Sequence, residues 1–172
     1  MSKAKIPPKF DYKGYSDELW YELVKAKAGY KCEISGAIGT LIGGDSVLNA
    51  HHIAGKPNLV LRYLYENGIS VTQGIHKFTI HNPNRAESGR NQIKAIKGDF
   101  IFERLKIYLN AKSGSVKLYT IKLEQDLAEI LNKLPDNIKK ARLDYLLADK
   151  KRNKPIREFL IKCLNEKNRG IK

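Results

Sequence analysis

Residues 48–53 read LNAHHI, and the alternation in this stretch decides how the chain is organised. Residues 47–53 have strand character: Val47, Asn49, His51 and Ile53 fall on one face, Leu48, Ala50 and His52 on the other. The two neighbouring histidines therefore point to opposite sides. Further on, Asn67 and Gly68 form a turn signal and residues 69–71 (ISV) a short second strand. A helix is expected from Gln73 or Gly74, carrying His76, Lys77 and His81 and ending before Pro83. Three of the four histidines in the chain thus fall between positions 51 and 76 of one strand–strand–helix succession.

Working outward, residues 1–14 read as an extended basic arm, because Pro7 and Pro8 oppose helix. Ser16 is a candidate N-cap for a helix over 16–28, with Asp17 and Glu18 in its first turn and Gly29 as its stop. Leu19, Leu23 and Ala26, with Trp20 and Val24 beside them, make its buried stripe. Residues 30–34 are strand-like, 37–45 a Gly-rich loop or ragged hairpin, and 54–66 a crossing loop with an apolar cluster at Leu59, Val60 and Leu61. A polar segment at 82–92 precedes a helix over 100–109, with Phe100, Ile101, Leu105, Tyr108 and Leu109 at helical spacing. Lys112, Ser113, Gly114 and Ser115 make a linker, followed by helices near 119–134, 136–149 and 154–167, the last with Asn153 as cap and Pro155 in its first turn. The fold class read from this pattern is α+β, in three parts: the arm at 1–14, a central domain at 15–111 and a helical basic module at 116–172.

The 172 residues carry a formal charge of +14. Such an excess predicts a polyanionic partner, for which nucleic acid is the usual candidate. Residues 1–86 hold 11 basic and 7 acidic side chains (+4), residues 87–172 hold 21 and 11 (+10), so the C-terminal half is the stronger grip. No apolar run approaches the roughly 20 residues of a spanning helix, and the N-terminus has no apolar segment behind its charges. The expectation is a cytoplasmic protein of a bacterial or phage-infected cell, without a membrane partner, as monomer or homodimer. Cys32 and Cys163 are expected to be small buried residues and not a disulfide.

Phosphodiester hydrolysis requires an activated water, a cation for the phosphate charge and help for the departing oxygen. One divalent metal covers the last two. A neutral histidine covers the first, if an acceptor on its other ring nitrogen fixes the tautomer.

LNAHHI, then NGI, then IHKF, with a preceding CEISG and an intervening LRY, resemble the HNH endonucleases of phages and mobile elements, within the ββα-metal (His-Me finger) group. The resemblance spans roughly residues 30–82. It implies His52 as general base, Asn67 as the brace of the His52 ring through a side-chain or backbone oxygen, and His51 and His76 as metal ligands. Water and phosphate oxygens would complete the metal shell.

Two departures from the family stand out. Cys32 is followed at three residues by Ser35, and Thr72 and Ile75 stand where a second cysteine knuckle would lie, so no structural zinc is expected. Some relatives carry a further histidine four residues after the helix histidine. Here Ile80 holds that position and His81 comes five on, about 140° round a regular helix. His81 is a possible ligand only if the helix is distorted.

The implied function is metal-dependent cleavage of double-stranded DNA, homing-like or restriction-like. The alternatives are a nucleic-acid-binding protein with a degenerate finger, or the same finger directed at RNA. Imidazole ligands favour transition metals such as Zn²⁺, Ni²⁺ or Mn²⁺ by softness, whereas abundance and phosphate oxygens favour Mg²⁺; Mg²⁺ or Mn²⁺ is the ion expected in use. Lys56, Arg62, Lys77, Arg85 and Arg90 near the finger, and Lys140, Lys151 and Arg152 beyond it, are candidate DNA contacts. Each of these features taken alone has a plainer reading as a turn, a packed ring or a solvated charge.

Overall fold

Asp11, upstream of Ser16, starts the first helix: its carboxylate accepts from the Gly14 amide at 3.0 Å, and α1 runs Tyr12–Lys27. Ser16 lies inside that helix, buried, with its hydroxyl 2.7 Å from the Thr120 hydroxyl. The final residues of the expected extended arm are therefore helical. The computed structural model describes residues 10–39, 47–149 and 151–165. The first nine residues of the arm, most of the Gly-rich stretch, Lys150 and the tail from 166 lie outside the described residues.

Strand β1, Leu48–His52, pairs antiparallel with β2, Gly68–Thr72, setting His51 opposite Ile69 and His52 opposite Gly68. The strand-like run at 30–34 makes only an isolated bridge, between Lys31 and Ile38. The crossing segment holds a short helix, α2 (Leu59–Tyr63), because Asn58 caps it by accepting from the Leu61 amide at 2.9 Å. A single tight turn follows over Tyr65–Asn67.

Asn67 and Gly68 are not a hairpin turn: Gly68 is extended, with φ −113°, and already begins β2. Glycine is needed there for another reason. A Cβ would collide with Val24 and Trp20 of α1, which lies directly over the strand.

After β2, Thr72 caps α3 (Gln73–Ile75), which widens into a π-helical turn over His76–Ile80, closed by the His81 amide donating to the His76 carbonyl at 3.1 Å. Part of the polar segment at 82–92 is in fact helical, within α4 (Ala86–Lys97). Helix α5 is shorter than its periodicity suggested, Ile101–Lys106, with Ile101 and Leu105 inward and Phe100 exposed. Helices α6 (Val116–Lys133), α7 (Asp136–Ala148) and α8 (Lys154–Asn165) follow the expected spans closely.

The architecture is α+β, with helices on a two-stranded antiparallel sheet. Two apolar clusters hold it. The larger joins Leu19, Trp20, Leu23 and Val24 of α1 to Leu127 and Leu131 of α6, Leu146 of α7 and Leu160 of α8. The smaller joins Ile69 and Val71 of β2 to Leu61, Ile93, Ile101 and Leu105. Leu48 packs against both. The main core thus draws on both sides of the linker at 112–115, so α1 belongs with the C-terminal helices as much as with the sheet. Cys32 and Cys163 are buried in different clusters. Among the described residues, no helix is long and apolar enough to cross a membrane.

The contact of α1 with β2 yields a direct test. Gly68→Ala should lower the stability read by urea unfolding by about 1–3 kcal/mol, the usual cost of overpacking. Gly74→Ala, whose Cβ would meet open space, should leave it unchanged or raise it by up to about 1 kcal/mol.

Candidate metal centre

The alternation of β1 is realised at its histidines. The His51 ring turns toward the π-helical turn, with centroids 5.1 Å from His76 and 5.0 Å from His81. His76 and His81 are 4.5 Å apart by centroids, and their Nε2 atoms approach to 3.2 Å. One ring nitrogen from each of the three lies within 4.8 Å of the others. A regular helix would carry His81 far round from His76, but the i→i+5 turn removes that offset. Helix α4 holds the widened turn closely: a Cβ on Gly89 would lie 3.3 Å from the Thr79 carbonyl oxygen and the Ile80 Cα. The condition set by the sequence, a distorted helix, is therefore met.

These three rings suit a metal by spacing and by charge. Imidazole–metal bonds of about 2.0–2.1 Å put nitrogens on a tetrahedral ion about 3.3 Å apart, close to the existing His76–His81 separation. Only the outermost nitrogens need to draw inward. Burial, reinforced by the charges of His76 and His81, lowers the His51 pKa to about 4. Burial and then His81 lower that of His76. Both rings are thus neutral near pH 7, the form that donates a lone pair to a metal.

His52 sits on the other side of the strand, stacked on Trp20 with centroids 3.7 Å apart and planes within 8°. The indole N–H donates to the Leu64 carbonyl at 3.1 Å, which fixes the plane. His52 Nε2 lies 2.9 Å from the Arg62 carbonyl. A carbonyl only accepts, so the neutral ring carries its proton on Nε2 and leaves a lone pair on Nδ1. Burial lowers the His52 pKa, with the Arg62 carbonyl acting against it.

Asn67 is not the brace of this ring. Its backbone oxygen accepts from the Ile53 amide at 2.9 Å and its Oδ1 from the Ala54 amide at 2.8 Å, while Nδ2 donates to the Gly55 and Leu61 carbonyls. Every polar atom of this fully buried side chain ties down the chain just after His52. The acceptor beside the His52 ring is instead the Arg62 carbonyl, which a sequence cannot single out because a main-chain carbonyl carries no residue signature. Trp20, legible only as part of a buried stripe, was missed for the same kind of reason: periodicity reports burial, not which ring a side chain meets.

All four histidines line one cleft of about 540 Å³, together with Tyr21 and Lys25 of α1, Lys56, and Arg152 from the α7–α8 connection. The other basic candidates divide. The Arg62 side chain is not available to phosphate, since its Nε and Nη2 pair with both oxygens of Asp17 at 2.6 and 2.5 Å. Arg152 donates to Glu22 at 3.0 Å. Lys77 is exposed beside Phe78, and Arg85 and Arg90 line separate hollows along α4. Lys140 and Lys151 are exposed and outside the cleft lining.

No family model, curated protein or solved structure matches this chain.

The depressed His51 pKa sets a stability window. Between about 4 and the unfolded value near 6.5 the unfolded chain binds more protons, so the metal-free protein should lose stability as pH falls through this range. The loss should reach about 2–3 kcal/mol by pH 4 for this one group, and it should shrink in His51→Gln. Urea unfolding at pH 7 and pH 4.5 measures it. Equal stability at both values would contradict the burial of a neutral ring.

Proposed function

We propose that this protein is a divalent-metal-dependent endonuclease that hydrolyses phosphodiester bonds of duplex DNA. One observation carries the reading: three imidazoles converge on the same cleft as a fourth whose proton is pinned to one nitrogen. The charge of +14 favours a polyanionic substrate. The order of His51, His52, Asn67 and His76 on two strands and a helix resembles the HNH endonucleases, and on this reading residues 48–81 are a ββα-metal finger.

In this mechanism His51, His76 and His81 would hold the ion, which would supply charge to stabilise the phosphate oxygens and the departing oxygen. His52 Nδ1 takes a proton from water as the water oxygen bonds to phosphorus and the bond to the leaving oxygen breaks. The resulting imidazolium keeps its Nε2–H bond to the Arg62 carbonyl and lies against the electron-rich face of Trp20. Both contacts favour the charged ring once the proton has moved. Asn67 holds the backbone that follows His52, so it acts by positioning.

Three imidazoles without a carboxylate in the group favour Mn²⁺, Ni²⁺ or Zn²⁺ over Mg²⁺. One such centre cuts one strand, so a double-strand break requires two copies or two successive events.

Purified protein with supercoiled plasmid should give nicked circles in Mn²⁺ or Ni²⁺ and none in EDTA. His52→Ala should slow cleavage by about 10²–10⁴-fold, the usual share of a general base, without loss of metal binding. His81→Ala should raise the metal concentration needed by roughly tenfold or more. Intact plasmid with every divalent ion, from a folded protein that binds DNA, would favour instead a non-catalytic DNA-binding role.

A further inference from the structure

Glu22 of α1 is fully buried and surrounded by more positive charge than it can neutralise. Its Oε1 accepts from the Tyr30 hydroxyl at 2.7 Å and lies 2.7 Å from the Arg142 guanidinium. Its Oε2 accepts from Arg152 at 3.0 Å and lies 3.3 Å from the Lys25 ammonium. Burial alone would push this carboxyl up, but Arg142, Lys25 and Arg152, with the Tyr30 hydroxyl, hold it well below the usual carboxylate range. Among the described residues, the other carboxylate paired with the group is Glu18, 3.9 Å from Arg152. Three cations against two carboxylates leave a surplus positive charge. A buried surplus is costly unless something balances it.

The surplus faces the cleft. Arg142 is sealed beneath Glu22, whereas Lys25 and Arg152 both line the cleft that holds the four histidines. Their side chains keep 17% and 15% of their surface open, enough for contact from the cleft side but not for full hydration. Among the described residues, the buried Arg152 Nε meets no hydrogen-bond acceptor. Burial, and then repulsion from Arg142 and Arg152 against the pull of Glu22, lowers the Lys25 pKa, the mark of an ammonium that lacks its full complement of negative charge. Lys56 stands on the same cleft with its charge exposed.

We propose that Lys25 and Arg152 form a phosphate subsite in the cleft wall, seating a second phosphate of the DNA strand whose scissile phosphate lies at the histidines. This deepens the nuclease reading and rests on it for the identity of the strand. The singly charged phosphodiester supplies the balancing charge that the wall lacks, and the arginine offers it an N–H donor. The C-terminal helices thereby serve the site itself, through Arg152, in addition to any grip from their outer lysines.

The test is binding of a fluorescent 16-base-pair DNA duplex in EDTA, read by anisotropy across a KCl series. Each phosphate contact adds about 0.9 to the slope of log affinity against log salt. Arg152→Gln alone should lower the slope by about 1, and Lys25→Met with Arg152→Gln by about 2. Arg152→Gln leaves Glu22 paired to Arg142 and Lys25, so it serves even if the double variant fails to fold. Lys25→Arg with Arg152→Lys should keep the slope. The exposed pair Lys112→Gln with Lys117→Gln removes equal charge away from the cleft lining and should keep it too. An unchanged slope in Arg152→Gln, an equal fall in the exposed pair, or no salt-dependent binding by the wild type overturns the proposal. Because no divalent ion is present, failure of plasmid cleavage removes the nuclease reading and leaves this result standing.

Discussion

The packing of Trp20 against His52 and Gly68 is the contact on which the rest of the arrangement depends. The indole is buried, it stacks on His52, its N–H is satisfied by the Leu64 carbonyl, and its ring edge occupies the space that a side chain at Gly68 would need. One residue therefore joins helix α1 to both strands and to the segment between them. It also decides the two faces of β1: with His52 committed to the helix, His51 must point toward the π-helical turn. A strand of five residues can separate two adjacent histidines so cleanly because its side chains alternate. A register slip of one residue would exchange their roles.

This contact also explains why the N-terminal helix is not an appendage. The face of α1 that carries Leu19 and Leu23 enters the core shared with α6, α7 and α8, while Trp20 and Val24 reach the sheet. Glu22 and Lys25 on the same helix meet Arg142 and Arg152. The helix is thus the common wall between the two-stranded sheet and the C-terminal helices, and the cleft lies along it. A linker rich in lysine, serine and glycine at 112–115 looked like a boundary because composition reports local flexibility, not where buried side chains meet.

Local signals were the legible ones. The strand at 48–52, the helix opening at Gln73 and the three C-terminal helices follow from alternation, capping and turn residues, all set by near neighbours. What could not be read depends on residues distant in sequence. Asn67 and Gly68 form a common turn pair, yet here Asn67 fastens the chain after β1 and Gly68 admits a helix from 44 residues upstream at Val24. Arg62 looked like a phosphate contact because its partner, Asp17, lies 45 residues away. The π-helical turn has no compositional mark. Only the unusual spacing of His76 and His81 hinted at it, through the requirement that the helix be distorted if both were to act together.

The site also resolves a tension in the charge of the molecule. A chain at +14 should repel a metal cation, yet His51, His52 and His76 are held below their usual pKa and add no charge of their own near neutrality. Burial, the first cause for each of the three, removes the proton and exposes the lone pair a metal requires. Positive charge stands instead on the cleft wall, at Lys25, Lys56 and Arg152. The His76–His81 contact completes this division. The His76 and His81 Nε2 atoms face each other at 3.2 Å, close to the spacing that two ligand nitrogens take on one tetrahedral ion. On the proposed reading, metal and phosphate would be complementary occupants: the ion would meet imidazole donors, and the strand would meet the surplus charge around Glu22.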